Sequence, residues 1–578
     1  MDGSERNAPG LVDTFSDTWV ATDALGRRLP GLSEVGPPRR DKYVGLFYFL
    51  WLGQHGTKGP YDITEILKRY PDALSKAGSA GWGDYHQPHH WGKPLFDYYL
   101  SDDPYVIRKH GQMLADAGVD TIIFDVTNQQ TYRSVYRTLL QEYTAMRRAG
   151  AKTPQVMFLT PFWDPSKVVN ELYRDLYRPG LFSELWFRWK GKPLILADPR
   201  LVQADPTSLV DFFTFRTPQP DYFLGPTAPD QWGWLEVYPQ HGFHSSDHPQ
   251  RVEEVAVGVA QNAVNGQLGS LSQPGARGRS FHNEMQPSPP YPTEFGLNVQ
   301  EQWDRALALD PEFILVTGWN EWIAGRFAEF AGYRAPNIFV DEFNQEFSRD
   351  IEPMEQGHGD NYYYQLVHYI RKFKGARSPL PVSKPKTIDL DAGFEQWTDV
   401  QPEFRDDQDD ALCRDHAGWG KAGHLSNQRG RNDFVVLKVT HDETNVYFYA
   451  RTKASVTDCT EKNWMLLFIR IGEGGSNWEG YQWVVNRRVK NGSVTLLEVC
   501  EGGWQWRWVS DLPYRVAGNQ VALAVPRALL GLVGKNTAVD FEFKWADNIR
   551  DGSDAREFLI NGDAAPNGRF NYRYHWPE

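Results

Sequence analysis

The stretch DPYVIRKHGQMLADAGVDTIIFD, residues 103–125, encodes a helix followed by a buried strand. Asp103 is a favourable N-cap, and Pro104 suits the first helical position. Apolar residues between Val106 and Ala117 then recur at the spacing of one helical face. Gly118 ends the helix, and the continuous apolar run 121–124 is typical of a strand that is buried on both faces.

The same alternation of helix and strand patterns recurs along the chain as far as residue 317. We predict buried strands, in chain order, at 44–49, 121–124, 156–159, 193–196, 212–215, 235–238, 255–260 and 313–317. Eight strands with intervening helices predict an α/β fold, a (β/α)8 TIM-type barrel. An open doubly wound sheet is the alternative, although no G-x-G-x-x-G follows a strand, as its dinucleotide-binding version requires.

The chain changes in character at residues 375–387, where three prolines and no apolar periodicity indicate a linker. Downstream, short β-rich runs separated by turn residues predict an all-β sandwich. We therefore predict four parts: an N-terminal extension (1–41), a catalytic barrel domain (42–374), the linker (375–387) and a β-sandwich domain (388–578).

Composition argues against several classes of protein. The 578 residues carry a net charge of -13, whereas nucleic-acid binders concentrate positive charge. No apolar run reaches the roughly 20 residues of a membrane span, and the first residues lack the apolar segment of a signal peptide. The three cysteines form no C-x-x-C pair, so neither a disulfide scaffold nor a zinc ribbon is supported.

Aromatic residues make up 14% of the chain. Their flat apolar faces and polar edges suit sugar rings, and a large aromatic core is the alternative interpretation. The active site of a barrel lies at the carboxyl ends of its strands. Candidates at or near the predicted strand ends are Trp51, Asp125, Asn128, Trp163, Trp234, Glu236, Asn262, Trp319, Asn320, Glu321 and Trp322. Paired carboxyl groups, amides and aromatic platforms are typical of a glycosidase.

Glu321 is the strongest candidate for a catalytic carboxyl group. It lies between Asn320 and Trp322, just after the apolar run of the last predicted strand. Neighbouring indoles would raise the pKa of its carboxyl group, as general acids near neutral pH require. The alternative is a buried glutamate held by a structural salt bridge. For Asp125 and Glu236, the alternative is a capped or solvated loop carboxylate.

Several segments resemble the glycoside hydrolase family 71/99-like group, which includes endo-α-mannosidases. They are VTGWNEW at 316–322, GLFYFLW at 45–51, GVDTIIFD at 118–125, and DIEP and GDNYY at 350–353 and 359–363. The resemblance covers about residues 42–374. It implies a barrel that acts on glycosidic bonds.

The family carries an N-E-W-x-E motif at the end of the last strand, and its second glutamate is Ala324 here. The resemblance implies that Glu321, which matches the first glutamate, acts as general base or electrostatic stabiliser. The proton donor must then come from elsewhere. Glu236 is our first choice, followed by Asp125, with Glu352 as a third candidate.

Histidines cluster between the first and second strands, at His86, His89 and His90. Three imidazoles could ligate a metal, but no Cys, Asp or Glu at ligand spacing accompanies them. We therefore expect no metal and no cofactor, and predict that His89 and His90 bind substrate hydroxyls. His282, in a Gly-rich loop after the seventh strand, is a further candidate for substrate binding.

The C-terminal part resembles a family 9 carbohydrate-binding module, through segments such as FEQW at 394–397 and NDFVVLKV at 432–439. Trp504, Trp506 and Trp508 alternate along one strand face, which fits either a sugar platform or a core. The acidic run 406–410 could bind calcium, and a solvated acidic turn is the alternative.

The sequence thus predicts a glycoside hydrolase that cleaves a complex poly- or oligosaccharide. That function suggests a periplasmic or secreted location. Two other functions stay open: a non-catalytic glycan-binding protein, because Ala324 removes one family carboxylate, and a metal-dependent hydrolase that uses the histidine cluster.

Overall fold

Eight parallel strands form a barrel in the computed structural model, which describes residues 10–203, 209–428, 430–472, 477–533 and 538–577. The strands are β1 (Tyr43–Tyr48), β2 (Thr121–Asp125), β3 (Gln155–Leu159), β4 (Lys192–Leu196), β5 (Thr214–Gln219), β6 (Gln231–Gly233), β7 (Val252–Gly258) and β8 (Phe313–Thr317). Each strand from β1 to β5 pairs in parallel with the next, and β8 pairs with both β7 and β1. The predicted TIM-type barrel is confirmed.

The barrel is closed by strand pairing everywhere except between β6 and β7. Across that seam, within the described residues, the Gly233 N–H donates to the buried Glu254 carboxylate at 2.8 Å. Apolar side chains fill the interior, among them Phe47, Ile123, Met157, Leu196, Trp232, Phe313 and Leu315. The sheet is therefore wrapped around a packed core, and its rim is left for function.

The predicted sixth strand, 235–238, is wrong in position. The strand is Gln231–Gly233, and residues 235–238 turn across the rim instead. The turn is held by its own polar group, because the Glu236 carboxylate accepts hydrogen bonds from His241. A buried apolar stretch resembles a strand in sequence whether it lies in the sheet or crosses its end.

The helices are α1 (Leu32–Val35), α2 (Ile63–Arg69), α3 (Pro104–Ala117), α4 (Arg133–Arg148), α5 (Ser166–Leu172), α6 (Leu209–Phe212), α7 (Leu297–Leu309), α8 (Asn361–Lys374) and α9 (Glu557–Ile560). Helix α3 has the predicted boundaries: Asp103 caps it, and Gly118 ends it with a φ of +86°. The fully described segments 220–230 and 234–251 hold no helix, so the prediction of intervening helices is wrong there.

A hairpin after β8, formed by β9 (Ile323–Phe330) and β10 (Tyr333–Phe339), crosses the rim. Strand β9 pairs with the short strand Pro88–His90. Residues 340–352 then return the chain towards the end of β8, where Ile351 N–H donates to the Gly318 carbonyl at 3.2 Å. The hairpin thus brings a distant segment to the rim.

The C-terminal part of the chain is β-rich, as predicted, and most of its strands form a second large sheet. Its strands are Phe404–Arg405, Phe434–His441, Asn445–Thr452, Leu466–Arg470, Trp483–Asn491, Val494–Gly502, Gln505–Ala517, Gln520–Pro526, Val539–Asp547, Asp563–Ala565 and Tyr572–Trp576. Other short strands are Arg188–Trp189, Phe243–His244, Ala263–Val264, Gln267–Leu268, Arg414–Ala417 and His424–Asn427. No helix in the described part of the chain is long and apolar enough to cross a membrane.

The C-terminal part of the chain packs directly against the barrel domain. Arg414 forms a buried salt bridge with Asp103 at 2.7 Å, and the fully buried Trp419 ring lies 4.8 Å from the His90 ring. The N-terminal segment joins in through Trp19, whose ring contacts Phe570 at 5.4 Å. Residues 1–9 of the predicted extension lie outside the described residues, and the domain boundary at 375–387 stays a prediction.

Candidate active site

Glu321 lies just beyond the end of β8. Gly318 makes the turn with a φ of +125°, and a Cβ there would collide with the Arg349 carbonyl oxygen, so only glycine fits. The Asn320 side chain accepts a hydrogen bond from Phe49 N–H at 2.8 Å and donates to the Phe49 carbonyl at 3.2 Å. These contacts tie the turn to β1 and hold Glu321 at the rim.

Arg349 joins Glu321 to two further carboxylates. Its Nη2 atom lies 2.8 Å from Glu321 Oε2 and 3.2 Å from Asp341 Oδ1. Its Nε atom lies 3.5 Å from a Glu342 oxygen. The Arg349 side chain is 1% exposed, so three carboxylates share one desolvated positive charge.

Glu321 and Asp341 differ in environment although they share one nitrogen. Because both oxygens contact Nη2 of Arg349, the sum of the two contact distances is the upper limit of their separation. The two carboxylates are therefore near neighbours at the rim. The Glu321 side chain is 4% exposed and that of Asp341 39% exposed, so Asp341 faces solvent.

Burial controls the electrostatics of Glu321. Desolvation raises the pKa of its carboxyl group, the Arg349 guanidinium opposes that shift, and the negative charge of Asp341 adds to it. The charge state of Glu321 therefore depends on both neighbours.

Asp125 brings a carboxyl group from the end of β2. It accepts the Thr127 N–H at 2.9 Å, and burial raises its pKa. Asp341 raises the pKa of Asp125 further and Arg349 lowers it, so Asp125 belongs to the same electrostatic group. A carboxyl group with a raised pKa beside ionised carboxylates is the arrangement that general acids use.

Aromatic rings line the same rim. Trp51 stacks on Phe49 with ring centroids 5.4 Å apart. The Trp234 ring lies 5.9 Å from Phe162 and 5.7 Å from Tyr222, whose hydroxyl in turn interacts with Glu321 and Arg349. Trp163 is 61% exposed, an unusual state for an indole and one suited to stacking on a ligand.

Glu236 lies in a separate polar cluster. Its two carboxylate oxygens accept hydrogen bonds from the His241 N–H at 3.0 Å and from His241 Nδ1 at 2.9 Å. Burial raises its pKa and His241 opposes that shift. The carboxyl group of Glu236, the first choice for the proton donor, is thus engaged by His241 and fully buried.

Glu352 is also fully buried. Its carboxylate accepts hydrogen bonds from the Tyr99 hydroxyl at 2.7 Å and from Trp322 Nε1 at 2.6 Å, and lies 3.0 Å from His110 Nε2. These contacts make Glu352 a support beneath the rim rather than a group that faces substrate.

Four side chains that we predicted to contact substrate are buried instead. Trp319 and Trp322 have no exposed surface, and Trp322 stacks on Trp91 with centroids 4.9 Å apart. His89 and His90 are buried as well. A side chain whose faces are covered by protein has no surface for a sugar, so these residues contribute packing.

The histidine cluster does not converge on a metal. His89 uses both ring nitrogens, since Nε2 accepts the Gly83 N–H at 3.1 Å and Nδ1 lies 2.9 Å from the Gln87 carbonyl. His90, the next residue on the strand, packs against Tyr98 and Trp419. Successive side chains of a strand point to opposite faces, so the two imidazoles cannot share an ion.

The remaining predicted residues are distributed around the rim. Asn128 is exposed and bonds to Tyr132. Asn262 is buried and accepts Arg349 Nη1 at 3.3 Å, so it supports the carboxylate group. Asn320 is fully buried and bonded to β1, which makes it a positioning residue. His282 is half-buried and contacts the Ser280 carbonyl at 3.0 Å.

Sequence reasoning missed Asp341 and Arg349. Both lie in the segment that returns from the rim hairpin, far from any predicted strand end. One signal was present: this acidic stretch leads directly into Asp350–Pro353, which carries part of the family resemblance.

Comparisons with known proteins give little further information. No family model and no curated protein matches the chain. Among solved structures, the GH99 endo-alpha-mannosidase from Bacteroides thetaiotaomicron matches with a TM-score of 0.34 and 17% identity, covering 58% of this chain and 98% of that one. A structure of the GH99 endo-alpha-mannosidase in complex with bis-tris-propane matches with a TM-score of 0.33 and 14% identity. It covers 57% of this chain and 97% of that one. TM-scores this low give no information about function, so we infer the function from the geometry of the site.

Proposed function

We propose that this protein is a glycoside hydrolase that cleaves bonds in a poly- or oligosaccharide at the barrel rim. One observation carries the proposal: Glu321 and Asp341 share Arg349 at the barrel rim, Asp125 at the end of β2 lies within the electrostatic reach of Asp341 and Arg349, and aromatic rings line the same rim. Glycosidic bond cleavage needs one carboxyl group that donates a proton and one that is ionised.

We assign the proton donor to Asp125. Burial and the charge of Asp341 raise its pKa, which keeps a carboxyl group protonated at higher pH. The family position Ala324 packs in an apolar cluster with Ile63 and Phe339. Burial raises the pKa of Glu321 as well, but the direct contact with Arg349 at 2.8 Å favours its ionised form. No ion pair in the described residues holds Asp125 ionised, so Glu321 then acts as general base or electrostatic stabiliser. Sugar binding by the second sheet and a location outside the cytoplasm stay predictions.

The assignment predicts that Asp125→Asn slows hydrolysis in a way that depends on the leaving group. Turnover of a natural glycan should fall by about 10²-fold, because an unprotonated sugar alkoxide leaves slowly. An aryl glycoside with an acidic phenol leaving group needs no such proton and should be affected far less. Steady-state kinetics on both substrates measure the difference.

Glu236→Gln provides the matched comparison, because Glu236 is the rival donor and is also buried. If Asp125→Asn slows both substrates equally while Glu236→Gln spares only the aryl glycoside, the donor is Glu236. If neither variant slows either substrate, the proton donor is a third group. If the wild-type chain itself hydrolyses neither substrate, the protein is a glycan-binding protein.

Asp341→Asn should move the alkaline limb of the pH profile of kcat/KM to lower pH. A general acid is active while it is protonated, and the negative charge of Asp341 raises the pKa of Asp125. Removal of that charge lowers this pKa, so activity is lost at a lower pH. Asp164→Asn, an exposed carboxylate on the same rim, is the control and should leave the limb in place. An unmoved limb in Asp341→Asn contradicts the assignment.

A further inference from the structure

Five aspartates converge where the second sheet meets helix α3. They are Asp116 from the helix and Asp406, Asp407, Asp410 and Asp563 from the C-terminal part, and each is at most 8% exposed. Ligand atoms from three of them (Asp406, Asp410 and Asp563) all lie within 4.8 Å of one another. The interpretation of 406–410 as a solvated acidic turn is therefore wrong for three of its four aspartates. Within this run, Asp409 alone is exposed.

The hydrogen bonding of these side chains provides a second, independent observation. Asp406 Oδ2, Asp410 Oδ1 and Asp563 Oδ1 are each buried without a hydrogen-bond partner within the described residues. Buried carboxylate oxygens nearly always have a donor or a cation, because desolvation without one is costly. Three such oxygens in one cluster thus indicate a missing positive partner.

Lysines lie near the cluster, but in the described part of the chain none forms a salt bridge with these three carboxylates. Lys109 attracts Asp410 and Asp563 only from a greater distance. Lys109 Nζ lies 3.3 Å from the backbone carbonyl of Asp410. Lys544, which is fully buried, donates to the Pro566 carbonyl. The Asp410 carboxylate does accept Gln112 Nε2 of helix α3 at 2.6 Å, but that donor is neutral.

We propose that Asp406, Asp410 and Asp563 bind a calcium ion that holds the second sheet against helix α3. Calcium prefers oxygen ligands at about 2.3–2.6 Å, so ligands on opposite sides of one ion lie about 4.6–5.2 Å apart. Ligand atoms of the three carboxylates lie within 4.8 Å of one another, which is inside the largest separation that ligands of one calcium ion can have. Magnesium demands shorter distances and near-ideal octahedral geometry, and it usually keeps several waters.

The ion would have a structural role, separate from the hydrolysis proposed above. Asp410 contacts Gln112 on the barrel, and Asp116 of the same helix lies within the electrostatic reach of Asp407 and Asp410. A cation at this point changes mutual repulsion across the interface into attraction to a shared centre. Calcium should therefore stabilise the whole chain.

The test uses the full chain after treatment with a chelator. Thermal unfolding is followed in three samples, which contain CaCl2, MgCl2 or the chelator alone, each at about 1 mM. We expect calcium to raise the midpoint by at least about 3 °C, and magnesium to raise it less. Elemental analysis of the chain as purified in calcium should give one bound ion per chain.

Asp410→Asn and Asp563→Asn should remove the calcium-dependent rise. Asp409→Asn is the matched control: it takes one charge from the same loop, but Asp409 is exposed and paired with Lys453. Terbium luminescence of the wild-type chain, displaced by calcium, tests binding without any variant. The proposal is overturned if calcium changes neither the midpoint nor the luminescence, if magnesium stabilises as well as calcium, or if Asp410→Asn raises the midpoint equally with and without calcium.

Discussion

Glu321→Gln is expected to lower kcat/KM by between about 10²- and 10⁴-fold with the fold retained. Glutamine keeps the size and one hydrogen-bond acceptor of the side chain, so the Arg349 contact loses its charge but not its shape. Whichever role Glu321 has, base or electrostatic stabiliser, the neutral amide cannot perform it. The measurement is steady-state hydrolysis of the best substrate from a polysaccharide panel, with circular dichroism to establish folding.

Glu329→Gln is the control for this variant, because Glu329 is exposed on the hairpin that follows Glu321 and pairs with Arg334. Its activity should match that of the wild-type chain. Hydrolysis by Glu321→Gln at the wild-type rate would remove Glu321 from the catalytic machinery.

Arg349→Met is expected to lower the free energy of unfolding by about 3–5 kcal/mol, because it removes the shared partner of buried carboxylates. Glu321 and Glu342 are both buried around this guanidinium, with contacts of 2.8 and 3.5 Å. Methionine retains much of the apolar volume, so lost charge rather than a cavity dominates the effect. Denaturant unfolding of the wild-type and variant chains measures it.

The deficit of Arg349→Met should depend on pH with a defined sign. Burial raises the pKa of Glu321 and of Glu342 above the ordinary value of 4.5, and Arg349 opposes both shifts. In the variant both pKa values rise further, so the native state holds its protons to higher pH than the unfolded state does. The deficit is therefore small while these carboxyl groups stay protonated in both native chains. It grows as the pH rises through their raised pKa values, above 4.5.

Arg334→Met is the matched control, because its guanidinium is 78% exposed and its ion pair is screened by solvent. It should change stability little at any pH. A deficit of Arg349→Met that is the same at low and at neutral pH would mean that packing, not charge, is what Arg349 contributes.

Local sequence signals predicted the fold best where they agreed with one another. Helix α3 and strand β2 could be placed because the cap at Asp103, the apolar spacing and Gly118 all indicate the same boundaries. The sixth strand was misplaced because residues 235–238 are buried for a different reason: a turn held by Glu236 and His241. Burial is visible in a sequence, but pairing partners are not.

The candidate site could be predicted only in part. Asp125 and Glu321 follow strands, so the rule that strand ends meet at one rim found them. Arg349 and Asp341 reach the same rim through a hairpin, and nothing local to them indicates that contact. Trp319 and Trp322 were expected to face a ligand, and only the packing of Trp91 against Trp322 reveals that they do not.

The seam between β6 and β7 has a mechanical consequence. A fully laddered barrel has a fixed circumference, whereas the described residues of this seam are joined by side chains. Glu254 accepts the Gly233 N–H at 2.8 Å, and Glu253 accepts Trp232 Nε1 at 2.9 Å. Side-chain contacts can lengthen or break without the loss of a row of backbone hydrogen bonds. The wall that carries Trp234 and Glu236 is held in the same manner, because Thr317 of β8 and Gln302 of helix α7 donate to the Trp234 and Glu236 carbonyls. On this side, the circumference of the barrel is therefore set by side-chain conformations and not by a backbone ladder.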